Sequence, residues 1–170
     1  MLKLIGSLFL LCGCSGIGLL LVKNLDNRVS VIRDLLCALE TMERELSFRM
    51  PLLEDMLFAA EKSVKDPTRS FLNVCREGVR KKADTPFAEI WNTAAQENLS
   101  IIKIQELESL FLLGGILGRY DCDGQKMAIE QACVELRNTL SEAIIERKSR
   151  GRVYNVLGTA TGAFLAILLL

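Results

Sequence analysis

Charge is absent from both ends of this chain and dense in its middle. Of its 21 basic and 21 acidic residues, all but Lys3 lie between Lys23 and Arg152. A uniformly mixed globule does not partition charge in this way. The pattern predicts a charged domain over residues 23–152, with a transmembrane anchor at 1–22 and a second transmembrane segment at 153–170. Leu4 to Val22 reads LIGSLFLLCGCSGIGLLLV. These ~19 uncharged residues, at ~1.5 Å each in a helix, nearly match a hydrocarbon core of ~30 Å. Val153 to Leu170 reads VYNVLGTATGAFLAILLL and is of similar length. Gly158 and Gly162 form a GxxxG pair there, a spacing that lets a second membrane helix approach closely.

Two alternatives stand for the first segment. One is a cleaved secretory signal. The other is a lipoprotein signal, with Leu11-Cys12-Gly13-Cys14 loosely resembling a lipobox and Cys14 carrying the lipid. The apolar residues running on through Leu19-Leu20-Leu21-Val22 exceed what a signal requires and favour an uncleaved anchor. Basic residues crowd the inner flanks of both segments: Lys23, Arg28 and Arg33 after the first, Arg147, Lys148, Arg150 and Arg152 before the second. By the positive-inside rule the central domain is expected in the cytoplasm, with both termini outside.

The chain contains no histidine. That removes the commonest general base near neutral pH, the commonest zinc ligand, and every Ser-His or Cys-His nucleophilic pair. The six cysteines are scattered without a CxxC pair and fit reduced, small core residues better than a disulfide framework. A net charge of zero offers nothing to nucleic acid. Asp121-Cys122-Asp123-Gly124 has the flavour of a calcium loop, but its glycine falls two positions early and Ala132 stands where the closing glutamate belongs. No enzyme activity, metal or cofactor is expected.

The middle reads as an all-α, antiparallel bundle of about six helices, flanked by the two hydrophobic ones. Ile32, Leu35, Leu36, Leu39, Met42 and Leu46 form the first stripe, with Glu40–Arg44 and Glu45–Arg49 as flanking i,i+4 pairs. Pro51 opens a second helix carrying Leu52, Leu53, Met56, Leu57 and Ala60. Asp66-Pro67 and Thr85-Pro86 open a third near 68–81 and a fourth near 87–97. Ser100 caps a fifth, through Ile104, Leu107, Leu110, Phe111 and Leu117. Asp121 caps the sixth, with Ile129, Ala132, Cys133, Leu136, Leu140, Ala143 and Ile144 along its apolar stripe. Trp91, the one tryptophan, is expected in the core. The glycines of Leu113-Gly114-Gly115-Ile116-Leu117-Gly118 read as close packing or a kink.

Several strings resemble the stage III sporulation protein AB family across essentially the whole chain. They are the opening Met1-Leu2-Lys3-Leu4-Ile5-Gly6, Glu45-Leu46-Ser47-Phe48 leading to Pro51-Leu52, Leu117-Gly118-Arg119-Tyr120-Asp121 followed by Gln125, and Glu146 to Gly158. Phe48 stands where the family's aromatic is often tyrosine. The resemblance implies a component of the channel complex between mother cell and forespore, in the mother-cell or outer forespore membrane. It also implies a helical domain similar to the cytoplasmic platform domains of type II secretion and type IV pilus systems. The implied partners are a hexameric secretion-type ATPase, stage III sporulation protein AA, and other membrane proteins of the channel. The competing reading is a lipid-anchored extracytoplasmic helical binding module. Successive junctions of an antiparallel bundle alternate between its two ends, so those before the second and sixth helices should share one end. That places Pro51 and Leu52 beside Gly118, Asp121 and Gln125 as a candidate partner interface.

Overall fold

The computed structural model describes the backbone of residues 2–49, 51–81 and 85–169, and the side chains of these except 2–15, 17–18, 49, 155, 158–159, 162–163 and 165–169. Six α-helices follow in order: α1 (Leu2–Arg49), α2 (Leu53–Lys62), α3 (Thr68–Arg80), α4 (Phe87–Asn98), α5 (Glu108–Ile116) and α6 (Cys122–Leu169), with a 3₁₀ turn at Ile104–Leu107 before α5. The described residues contain no strand. The N-terminal apolar segment and the first bundle helix prove to be one helix, because neither proline nor glycine interrupts 19–49. The last bundle helix and the C-terminal segment are likewise one helix, α6, which runs on through Gly151 with no proline.

Two compact units result, one formed by residues 1–29 and 141–170, the other by 30–140. In the first, α1 and α6 run antiparallel. Val22 meets Gly151, Asp26 accepts from Arg147, and Arg28 pairs with Glu146, so partners ascend one helix as they descend the other. Among the described residues no helix is long and apolar enough to cross a membrane. Most side chains of the two expected spans, Gly158 and Gly162 included, lie outside the described set.

The second unit is the helical bundle. Ile32, Leu35, Leu39, Met42 and Leu46 of α1 are buried at helical spacing. Leu36, expected on the same stripe, is only half-buried, and Cys37 is exposed. Helices α2 and α3, α3 and α4, and α4 and α5 pack as consecutive neighbours. Arg76 ties α3 to α2 by donating to Glu61 at 2.9 Å while lying over the Phe58 ring. Trp91 anchors the core with zero exposure: Phe71 meets it edge-on at 4.7 Å, and its indole N–H donates to the Leu110 carbonyl at 2.7 Å. A Cβ on Gly114 would fall 2.4 Å from Trp91 Cδ1, so this glycine serves close packing of α5 on α4.

Local expectations fail where tertiary partners intervene. Glu40 engages Arg137 of α6 instead of Arg44, which donates to Thr41. Pro67 and Pro86 occupy the cap positions of α3 and α4 with no side-chain cap, and the Asp66 carboxylate accepts from Ser70. Pro51 and Leu52 precede α2, which begins at Leu53. Ser100 sits in a turn ahead of the 3₁₀ segment, Ile104 is two-thirds exposed, and Ile144 is exposed rather than part of the α6 stripe.

Candidate partner interface

The segment from Leu117 to Gln125 folds into a turn closed by its own side chains. Helix α5 ends when Leu117 turns to extended backbone and Gly118 takes φ +75°, a left-handed conformation that favours glycine. The Leu117 N–H still donates to Leu113, and the Arg119 N–H to Ile116. The Asp121 carboxylate accepts the Gly124 N–H at 3.1 Å, capping α6 as expected. Gln125 reaches back one turn. Its amide oxygen accepts the Gly118 N–H at 3.1 Å, and its amide nitrogen donates to the Tyr120 carbonyl at 2.7 Å. One side chain thus satisfies a donor and an acceptor that the helix break leaves unpaired.

This turn lies against the junction between α1 and α2. A Cβ on Gly118 would meet Leu53 Cδ2 at 3.1 Å, and the Cys122 thiol points to the Leu46 carbonyl at 4.0 Å. Two strings some seventy residues apart in sequence are therefore neighbours in space. Their side chains do not share one job. Asp121 and Gln125, named from sequence as contact residues, are occupied in holding the turn. Leu52 stands 76% exposed. Beside these strings, Phe48 is 80% and Tyr120 60% exposed, and Arg119 is exposed with no ion pair among the described residues. Four large side chains that no fold requirement places outward surround the two junctions.

Sequence reasoning singled out neither Phe48 nor Tyr120 as an outward group. The signal was present. Phe48 follows buried Leu46 by two positions, which is ~200° around a helix and hence the opposite face.

The model of the family described as stage III sporulation protein AB matches residues 3–170. A curated relative, stage III sporulation protein AB of Bacillus subtilis (strain 168), is 24% identical over 177 residues, covering the whole of both chains. A solved structure titled stage III sporulation protein AB superposes with a TM-score of 0.60 at 22% identity, covering 68% of this chain and 92% of that one. At that identity the superposition speaks for the helical fold.

Proposed function

The chain belongs to the stage III sporulation protein AB family, and from that premise we propose that it is a membrane-anchored platform of a sporulation channel complex. In this role it couples a cytoplasmic secretion-type ATPase to the channel's membrane proteins. Residues 1–22 and 153–170 serve as the anchors, on the strength of their charge-free sequence and the basic residues at their inner flanks. The bundle faces the cytoplasm and presents the outward groups at the α1–α2 and α5–α6 junctions to the ATPase.

The observation that carries the reading is the exposed set Phe48, Leu52, Arg119 and Tyr120. Aromatic residues and arginine are enriched in protein interfaces, with tyrosine and arginine prominent among the energetically dominant positions, and Leu52 adds exposed apolar area beside them. The role requires no catalysis, only a firm surface on a tethered scaffold.

The test is capture of the stage III sporulation protein AA ATPase by the detergent-solubilised full chain. Leu52→Ser with Tyr120→Ser should weaken capture at least tenfold, the loss expected of one anchor worth ~1.4 kcal/mol or more. Val74→Ser, a change at an exposed position on α3, should leave capture intact. If the double variant melts like the parent and captures the ATPase equally well, the ATPase does not dock at these junctions.

A further inference from the structure

The segment of α6 just before its charge-free end carries four cations, and the structure divides them into two kinds. Arg147 donates to Asp26 of α1, and Arg150 pairs with Glu146, which also holds Arg28. Lys148 and Arg152 have no acidic partner among the described residues, and both are exposed. They stand one helical turn apart, ~6 Å along the axis, and Ser149 and Val153 lie beside them. With exposed Ile145 and Val156 these residues recur at i, i+3, i+4, i+7, i+8 and i+11, which is one stripe of the helix. Gly151 is buried against Val22, so α1 covers a different face.

We propose that this stripe binds the phosphodiester headgroup of an anionic phospholipid. Lys148 and Arg152 clasp the phosphate oxygens, the Ser149 hydroxyl donates to one of them, and the acyl chains lie along Val153 and Val156. Charge complementarity selects the occupant: two uncompensated cations and a hydroxyl face one way, and no carboxylate lines the cavity they share with Ile145 and Val153. The apolar continuation selects a lipid over a free anion. Beyond Arg152 the exposed large apolar residues among the described ones are Val153, Val156, Leu157 and Phe164, and on α1 the same end carries Leu19, Leu20 and Leu21. The inference rests on the membrane-anchored reading above and adds a headgroup preference to it.

The full chain in a neutral detergent is titrated with phosphatidylglycerol or phosphatidylcholine in mixed micelles, and the lipid retained on the purified protein is measured. The parent should retain phosphatidylglycerol preferentially. Each cation near an anionic lipid is worth about a fivefold factor, so Lys148→Gln with Arg152→Gln should raise the phosphatidylglycerol concentration needed by about 25-fold. Arg147→Gln with Arg150→Gln removes the same formal charge from the paired positions and should change it less than threefold. Equal losses in the two double variants, or none in the first, overturn the site. So does complete competition by inorganic phosphate, which would mark a free-anion site. Flotation with phosphatidylcholine vesicles tests the anchor separately. A chain that stays unfloated yet retains phosphatidylglycerol refutes the spans and leaves the headgroup site standing. One that floats without headgroup preference does the reverse.

Discussion

Gln125 holds its turn through two hydrogen bonds to backbone groups that otherwise have only water to satisfy them. Gln125→Ala should therefore cost ~1–2 kcal/mol of stability. Gly118→Ala forces an alanine into the left-handed region and crowds Leu53, at a similar ~1–2 kcal/mol. Asp121→Asn, which keeps an oxygen able to cap, should be nearly neutral. Chemical denaturation of the three variants checks this order, and a parent-like midpoint for Gln125→Ala would show the amide to be idle. The cysteines respond to pH for a related reason. Burial raises the thiol pKa of Cys133 to about 11 and pushes Cys75 up further. Unfolded thiols ionise near pH ~8.5. Below that both states keep the proton. Above it the unfolded chain releases protons that the folded chain retains, so stability is lost as pH rises towards 11. Cys133→Ala should make the decline in melting temperature between pH 8.5 and 10.5 shallower, and identical slopes for variant and parent would contradict the assignment.

Among the elements, α1 shows how neighbouring leucines on a helix differ in consequence. Leu35 is 1% exposed within the bundle, whereas Leu36 is half-buried at the stripe's edge. An aspartate at 35 must be buried without a partner, at a cost of several kcal/mol, comparable to the whole stability of a small domain. Leu35→Asp should unfold the bundle at ambient temperature by circular dichroism, and so should Leu136→Asp in α6, where exposure is zero. Leu36→Asp can turn its carboxylate to water and should leave a folded, less stable protein. Equal damage at 35 and 36 would mean that the burial boundary on α1 is misplaced. In α5 the glycines divide likewise: Gly114 admits Trp91, while a Cβ at Gly115 would meet nothing within 4 Å.

For the whole molecule the proposed topology can be read through a thiol. Cys75 is fully buried and unsuited to labelling, whereas Cys37 is exposed on α1 in the charged middle of the chain. In intact cells, a full-length variant keeping Cys37 as its one cysteine should resist a membrane-impermeant maleimide and react after permeabilisation. Labelling before permeabilisation would place the bundle outside the cytoplasm and favour the lipid-anchored alternative.

Helix identity was local information, and it was legible. Stripes such as Ile32-Leu35-Leu39-Met42 and Ile129-Ala132-Cys133-Leu136 repeat at the helical period, and burial follows them. The cap at Asp121 and the core placement of Trp91 follow from side-chain chemistry alone. Adjacency of the two junctions was likewise implied by counting antiparallel helices, and Leu53 against Gly118 realises it. What each side chain does there was not legible. Gln125 could bind a partner or close a turn, and the choice depends on where the Gly118 N–H and Tyr120 carbonyl come to rest. Glu40 could pair with Arg44 four residues away or with Arg137 on another helix. Charge periodicity along one helix says nothing of a cation arriving from a second. Tertiary packing settles such choices because the candidate partners compete at similar energies, and only the assembled backbone brings one of them within reach.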